Sequence, residues 1–133
     1  MLKMTNKINL VIGLGRSGYW AAKFLNSRGE KVIVLEEKIN DQLAIYKKDL
    51  ENIGIEVYLE FPFEFEKISQ WINNIKFVIL SPAININNQT VLHLKNAGIK
   101  VLGEANIGWN YLKDINWVGI TGTNGKTTVT HLL

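Results

Sequence analysis

The sequence predicts an α/β fold in which a parallel five-stranded sheet carries helices on both of its faces. Three observations support this prediction. Short runs rich in Val and Ile alternate with segments of helical apolar spacing along the chain. The runs are apolar almost without interruption, which is typical of strands buried on both faces of a parallel sheet. Two glycine-rich loops each join one of these runs to a helical segment, and the β-α-β order indicates right-handed crossover connections.

The predicted strands are the apolar runs. Five of them complete the sheet, at 8–13, 31–36, 55–60, 76–81 and 99–103. A sixth run, 116–121, follows a helical segment at about 104–113 and is expected to begin a new unit. This order predicts one Rossmann-like domain over 1–103 and the truncated start of a second domain over 104–133.

The predicted helices follow from apolar residues spaced three or four apart, which line up on one side of a helix. The sets are Trp20, Ala21, Phe24 and Leu25; Leu43, Tyr46, Leu50 and Ile53; Phe65, Ile68, Ile72 and Ile75; and Ala105, Trp109 and Leu112. The four tryptophans are expected to lie in the core rather than to bind a ligand. In the Asn-rich segment 84–89, Asn87 or Asn88 is expected to cap the next helix.

The composition limits the classes of function that fit. Hydrophobic residues make up 47% and charged residues 20% of the 133 positions, so a packed core is expected and disorder is not. The sequence has no apolar run of about 18 or more residues and no small-residue cleavage site of a secretory signal. It also has no cysteine, and its net charge is only +3. We therefore expect a cytoplasmic protein with no membrane or nucleic-acid partner.

The first glycine loop spans 13–18 and reads G-x-G-x-x-G between the first strand and the first helix. In this setting the first glycine permits a tight turn, the second lets the backbone approach a phosphate, and the third lets helix and strand pack closely. The N-terminus of the helix favours an anion. We favour a phosphate-bearing ligand over glycines that serve only to turn the chain.

Two further segments lie at the carboxyl ends of predicted strands, where sheets of this kind bind ligands. Residues 36–38 follow the second strand, and an acid about 20 residues after the glycines often bonds a ribose hydroxyl. Residues 81–84 follow the fourth strand and offer a serine hydroxyl and exposed backbone to a base or a sugar. The alternatives are a solvated acid at a strand end and a turn that contains proline.

The second glycine loop, 121–128, joins the sixth predicted strand to a helix start, as in a P-loop domain. Its backbone N–H groups can cradle phosphate oxygens, Lys126 can neutralise the β- and γ-phosphates, and Thr127 can offer its hydroxyl to Mg²⁺. The strict G-x-x-x-x-G-K-[ST] pattern fails at one position, because Ile120 stands where the first glycine belongs. A glycine turn with a surface lysine is the less favoured interpretation.

Together these segments resemble the Mur ligases of peptidoglycan synthesis, an ATP-dependent family. The form G-T-N-G-K-[ST]-[ST], without a glycine at the position of Ile120, is characteristic of that family. Within the family, the segment 13–25 is most similar to the branch that adds D-glutamate to UDP-N-acetylmuramoyl-L-alanine. The resemblance covers all 133 residues, but only the N-terminal part of a family member, which normally has three domains.

The resemblance implies that the first domain binds the UDP of a UDP-sugar substrate. It places the backbone N–H groups of Arg16 and Ser17 at the pyrophosphate, 36–38 near the uridine and 81–83 against the uracil. The residues implied to bind this substrate are Gly15, Arg16, Ser17, Gly18, Glu36, Glu37, Lys38, Ser81, Pro82 and Ala83. Two of them depart from the family pattern, because Ala83 stands where Gly is usual and Glu36 where Asp is commoner.

The resemblance also implies a reaction. ATP would phosphorylate the carboxylate of the L-alanyl group, and the amine of D-glutamate would attack the acyl phosphate to give a tetrahedral intermediate that expels phosphate. The residues implied to bind ATP are Gly122, Thr123, Asn124, Gly125, Lys126, Thr127 and Thr128, with Lys126 catalytic and Thr127 at Mg²⁺. Because the family's other catalytic parts are missing, we expect a chain that cannot ligate, binds no cofactor and self-associates through exposed inter-domain surface.

Two other functions use the first glycine loop. An oxidoreductase module that binds NAD or flavin would also use Glu36, and so would a nucleotide-sensing domain that is not an enzyme. Neither has a use for the second loop, 121–128. Binding of UDP rather than NAD⁺ would separate the ligase from both.

Overall fold

The computed structural model describes residues 7–104, 106 and 107. Its strands are Ile8–Ile12 (β1), Lys31–Leu35 (β2), Glu56–Tyr58 (β3), Ile75–Leu80 (β4) and Val101–Gly103 (β5). Its helices are Arg16–Ser27 (α1), Asp41–Asn52 (α2), Phe65–Ile68 (α3) and Gln89–Asn96 (α4), and a 3₁₀ turn at Ser69–Trp71 follows α3. The predicted alternation of strands and helices up to residue 103 is confirmed.

The five strands form one parallel sheet in the order β3-β2-β1-β4-β5. In the central strand β1, Leu10 lies opposite Ile33 of β2 on one side and Val78 of β4 on the other. The chain winds outward from β1 through β2 to β3 and then returns to the other side of β1. In such sheets, ligands bind in the crevice at the carboxyl ends of the strands where the winding reverses, which here lies between β1 and β4.

Helices cover both faces of the sheet, as the continuous apolarity of the strands predicted. One face packs on α1 and α2, whose buried residues there are Ala22, Leu25, Leu43 and Leu50. The other face packs on α3 and α4, whose buried residues there are Ile68, Val91 and Leu94. Ile107, which comes after the last strand, is buried on the α1–α2 side. The two layers of helices hold the strand ends, and thus the loops that follow them, in fixed positions.

Two residues assigned to buried helix stripes are exposed. Trp20 is 57% exposed, because α1 buries the side that carries Gly18, Ala22 and Leu25, and residue 20 projects away from that side. Ile53 is 43% exposed, because α2 ends at Asn52 and Ile53 only follows it as the C-cap. The prediction of a core position was therefore wrong for both.

The third predicted helix is much shorter than its periodic apolar residues indicated. α3 has four residues, and the chain then passes through the 3₁₀ turn into β4, which starts at Ile75. Ile75 pairs with Ile8 of β1, and the N–H of Ile8 donates to the carbonyl of Asn74 at 2.8 Å. Pairing in the sheet thus takes the residues that would have formed the last turns of the helix.

Several predictions concern residues outside the described ranges. They are the strand at 116–121, the helix beyond residue 107, Trp109, Trp117 and the second glycine loop. No helix in the described part of the chain is both long enough and apolar enough to cross a membrane.

Candidate functional site

A cleft of about 380 Å³ lies at the carboxyl ends of β1, β2 and β4. Its walls come from the glycine loop after β1, from the segment after β2 and from the segment after β4, and Leu43 and Phe63 complete them. β1 and β4 are the neighbours between which the winding of the sheet reverses. The fold therefore brings together, in the expected crevice, the three segments that the sequence singled out.

The glycine loop packs tightly at two of its three glycines. Gly13 has φ +102°, a conformation that favours glycine, and a Cβ atom there would lie 2.5 Å from Cβ of Ser81. A Cβ atom on Gly18 would lie 2.0 Å from the carbonyl oxygen of Gly13. A side chain is therefore excluded at both positions. The tight turn and the close helix–strand packing predicted for these glycines are confirmed.

Gly15 differs from the other two, because it has open space beside it. Apart from Gly15 and its two chain neighbours, no described residue has a heavy atom within 4 Å of a Cβ atom placed on Gly15, which lines the cleft. The first backbone bond of α1 runs from the N–H of Tyr19 to the carbonyl of Gly15 at 2.9 Å. The N–H groups of Arg16, Ser17 and Gly18 thus have no acceptor within the helix. They form a group of donors at the mouth of the cleft.

The N-terminus of α1 has no side-chain cap, whereas those of α2 and α4 are capped. Gly15 is the N-cap residue of α1 and has no side chain to accept a hydrogen bond. Asn40 caps α2 by accepting from the N–H of Leu43, and Asn88 caps α4 by accepting from the N–H of Thr90, each at 2.8 Å. The expected cap from the Asn-rich segment is therefore Asn88. Of these three helices, only α1 has no side chain at its N-cap that accepts from an end donor.

Glu36 connects the glycine loop to the segment that follows β2. Its Oε2 accepts from the backbone N–H of Leu14 at 2.7 Å, and its Oε1 accepts from the N–H of Lys38 at 2.9 Å. The side chain is half-buried and lines the cleft. Each of its carboxylate oxygens therefore already has one backbone partner.

The charges around the cleft are of both signs. Glu37 and Lys38 line the cleft beside Glu36, and Arg16 is the first residue of α1. Oε1 of Glu37 accepts from the backbone N–H of Phe63 at 3.0 Å, which holds the chain after β3 against the cleft. Within the described part of the chain, neither Arg16 nor Lys38 forms an ion pair. Both cations are thus available to an anionic ligand.

The segment after β4 forms a turn that is bonded to β1. The N–H of Ser81 donates to the carbonyl of Ile12 at 2.9 Å, and its Oγ accepts from the N–H of Ala83 at 3.3 Å. Ser81 and Ala83 line the main cleft. Pro82 instead lines an adjoining cavity of about 190 Å³ between the ends of β4 and β5. The turn thus separates the two spaces.

Glu104, directly after β5, is an acid that the sequence did not single out. Burial raises the pKa of its carboxyl group above the ordinary value of 4.5, and a hydrogen bond with the side chain of Ser17 partly opposes the rise. Its Oε1 is buried and has no hydrogen-bond partner among the described residues. A carboxyl group therefore lies beside the second residue of α1.

The structure brings most of the predicted substrate-binding residues to one cleft. Those that line it are Gly15, Glu36, Glu37, Lys38, Ser81 and Ala83. Arg16, Ser17 and Gly18 form the N-terminal turn of α1 at its mouth. Sequence reasoning missed Asn40 and Phe63, because Asn40 reads only as a helix cap and Phe63 comes from a segment after β3 that has no motif. The residues predicted to bind ATP and Mg²⁺ lie outside the described ranges.

Comparison with curated proteins finds close relatives. The chain is 57% identical over 131 residues to the UDP-N-acetylmuramoylalanine–D-glutamate ligase of Prochlorococcus marinus strain MIT 9515. It is 50% identical over 132 residues to the ligase of the same name from strain MIT 9312, and 42% identical over 126 residues to that of Synechococcus sp. strain CC9902. These alignments cover 98%, 99% and 95% of the chain. The chain spans only 28%, 28% and 27% of the length of these relatives.

Comparison with solved structures supports the fold. The chain is similar to the crystal structure of a UDP-N-acetylmuramate:L-alanyl-γ-D-glutamyl-meso-diaminopimelate ligase from Neisseria meningitides, with a TM-score of 0.68. The match covers 92% of this chain and 36% of that one. At 21% identity the likeness concerns the architecture alone.

A family model identifies the domain directly. The model described as "Mur ligase MurD-like, N-terminal domain" matches residues 7–103, which include β1 to β5 and every residue that lines the main cleft. The resemblance stated from the two glycine loops is confirmed. The chain belongs to the Mur ligase family and contains its MurD-like N-terminal domain.

Proposed function

We propose that this chain is the UDP-substrate-binding part of an ATP-dependent ligase that adds D-glutamate to UDP-N-acetylmuramoyl-L-alanine in peptidoglycan synthesis. One observation carries the proposal: the uncapped N-terminus of α1 opens at Gly15 into the cleft at the switch point of the sheet. A helix N-terminus with free N–H groups favours a phosphate. The curated relatives that carry this ligase name support the choice of substrate.

The pyrophosphate of the substrate would bind at the start of α1. The N–H groups of Arg16, Ser17 and Gly18 would donate to its oxygens, and open space at Gly15 would let it approach the backbone. The side chains of Arg16 and Lys38 would supply positive charge. A diphosphate fits this end of the cleft better than a neutral ligand does, because the N-terminus of a helix favours an anion.

The uridine would bind between the segments that follow β2 and β4. Glu36, Glu37 and Lys38 would lie on one side of it, and Ser81, Pro82 and Ala83 on the other. This arrangement is supported by the glycine loop, which lies between the two segments and would bring the diphosphate to both. The departures from the family pattern at Glu36 and Ala83 concern this part of the site.

The second glycine loop would supply the ATP site of the complete ligase. In the proposed division, 1–103 binds the UDP-sugar and 104–133 begins the central domain, where residues 122–128 would bind ATP. Lys126 would stabilise the charge on the transferred phosphoryl group, and Thr127 would hold Mg²⁺. D-glutamate would then attack the acyl phosphate formed on the L-alanyl carboxylate. The reaction would take place in the cytoplasm, where ATP is available.

The 133 residues alone are expected to bind the UDP-sugar weakly and not to ligate. These 133 residues correspond to only 28% of the length of the relatives that carry the ligase name. The purified chain should release no phosphate when it is incubated with ATP, Mg²⁺, D-glutamate and UDP-N-acetylmuramoyl-L-alanine. Ligation by this chain would contradict the proposal. We also expect self-association through exposed apolar surface, which sedimentation velocity over a range of concentrations would detect.

Calorimetry tests the binding function against the two alternatives. The chain should bind UDP-N-acetylmuramoyl-L-alanine and UDP, and it should not bind NAD⁺. Saturable binding of NAD⁺ without binding of UDP would favour an oxidoreductase or a nucleotide-sensing module instead.

A further inference from the structure

Hydrogen bonds to β3 and to the segment that follows it hold the backbone of Glu36 in place. Its N–H donates to the carbonyl of Tyr58 and its carbonyl accepts from the N–H of Phe61, both at 2.9 Å. The next residue back, Leu35, accepts from the N–H of Gly13 at 2.8 Å. The position of Glu36 is therefore set by strand pairing and does not depend on a ligand.

From this fixed position, the side chain of Glu36 accepts hydrogen bonds from two segments that line the cleft. Its Oε2 holds the N–H of Leu14, between the first two glycines of the loop, at 2.7 Å. Its Oε1 holds the N–H of Lys38 at 2.9 Å, in the segment proposed to lie beside the uridine. Leu14 is fully buried, so its N–H would otherwise lack a partner in a nonpolar environment.

We infer that Glu36 is a positioning residue, whose carboxylate holds the glycine loop and the segment after β2 in the geometry that binds the diphosphate. This inference rests on the proposed function. It differs from direct contact with the diphosphate, because a carboxylate and a diphosphate repel each other. It also assigns the N–H of Leu14 to Glu36, which leaves the N–H groups of 16–18 as the donors for the phosphates.

The charge of Glu36 and its positioning role predict opposite effects of Glu36→Gln on the affinity for a diphosphate. By charge alone, the loss of one negative group beside the site should strengthen the binding of an anion. If Glu36 positions the loop, Glu36→Gln should weaken the binding of an anion. The NH₂ group of Gln cannot accept from a backbone N–H, so one of the two bonds is lost and the loop is held less firmly. A decrease in diphosphate affinity would therefore indicate positioning.

The first measurement uses the 133-residue chain without ligand. In ¹H–¹⁵N spectra of Glu36→Gln, the amide signals of Leu14 and Lys38 should shift, and that of Phe63, which bonds to Glu37, should stay in place. Unchanged signals at Leu14 and Lys38 would overturn the inference. A wild-type chain that binds no UDP would count against the proposed function alone. The amide signals would then still test by themselves whether Glu36 positions the two segments.

The second measurement is the affinity for inorganic pyrophosphate and for UDP, followed by titration in the same spectra. Glu36→Gln should weaken both by about tenfold, the equivalent of one hydrogen bond to a charged group. The matched control is Asp41→Asn, which removes one negative charge from the first residue of α2 and should leave the affinity equal or higher. Equal or tighter pyrophosphate binding by folded Glu36→Gln would overturn the inference.

Discussion

A Cβ atom on Gly18 would lie 2.0 Å from the carbonyl oxygen of Gly13, so the two outer glycines of the loop are in direct backbone contact. A Cβ atom placed on Gly15, the glycine between them, would have no heavy atom within 4 Å apart from those of Gly15 and its two chain neighbours. One motif thus contains two glycines whose surroundings leave no room for a side chain and one glycine with open space beside the cleft. The two kinds should respond differently to the same substitution.

Alanine at Gly18 and at Gly15 should separate stability from binding. Gly18→Ala is expected to lower the free energy of unfolding by about 1–3 kcal/mol or more, because the backbone must move to admit the methyl group. Gly15→Ala should cost about 1 kcal/mol or less, because Ala is a poorer N-cap residue than Gly. Its methyl group should instead occupy the approach to the helix N-terminus and reduce UDP affinity. Urea denaturation and calorimetry on both variants would check this.

The comparison has a clear contrary outcome. If Gly15→Ala binds UDP as the wild type does, the ligand does not approach the backbone there, and the proposed pyrophosphate site is wrong. Gly98→Ala serves as a control for glycine loss away from the cleft. Gly98 has φ +82° and open space, so a stability cost without a change in affinity is expected.

The cap of α4 gives a second prediction. Asn88→Ala should lower the free energy of unfolding by about 1 kcal/mol, because the N–H of Thr90 loses its acceptor. The neighbouring Asn87→Ala changes the same residue type in the same loop and should have a smaller effect. Urea denaturation of the two variants measures the difference. Equal costs would show that the cap at Asn88 contributes nothing specific.

The carboxyl group of Glu104 predicts how the stability of the protein depends on pH. Burial raises the pKa of its carboxyl group above 4.5, so the native state keeps this proton to a higher pH than the unfolded state does. The contribution of Glu104 to stability is therefore complete below the ordinary value and is lost as the pH rises through the raised one. Glu104→Gln does not titrate and should gain stability over the wild type between about pH 4 and about pH 7.

Denaturation curves at both pH values would measure this gain. Glu60→Gln provides the control, since it makes the same exchange of Glu for Gln at an exposed position. A Glu104→Gln variant whose difference from the wild type does not change with pH would contradict the assignment.

Trp20 and Leu25 give a contrast within α1. Leu25 is fully buried, and Leu25→Ala should cost about 2–5 kcal/mol through lost burial and the cavity that remains. Trp20 is the larger side chain but is 57% exposed, so Trp20→Ala should cost much less, on the order of 1 kcal/mol. Thermal denaturation followed by circular dichroism would compare them. A greater cost at Trp20 would mean that its ring is covered in solution.

Local patterns predicted the fold well where the chain is uniformly buried. β1 and β2 were recognisable because both of their faces are covered by helices, so almost every side chain in them is apolar. The third helix was predicted too long, because Phe65, Ile68 and Ile72 continue at helical spacing into Ile75, which belongs to β4. The spacing of apolar residues does not show that, for Ile75, pairing with β1 is more stable than one more helical turn.

The candidate site was predictable to the extent that it follows strand ends. The glycine loop and the segments after β2 and β4 carry recognisable residues at recognisable positions, and all three line one cleft. Phe63 does not, because contacts with distant parts of the chain place it at the cleft: its N–H donates to Glu37, 26 residues earlier, and its carbonyl accepts from Thr90. The same holds for the approach of Glu104 to Ser17.

The alternation of strands and helices, the glycine loop after the first strand and the family of the chain could all be predicted from the amino-acid sequence. These depend on residue type and spacing, which are local properties of the chain. The folded structure was needed to show which glycine of the loop has open space beside the cleft and which groups the carboxylate of Glu36 bonds. Such contacts join residues far apart in the chain, and the order of the strands in the sheet is what brings them together.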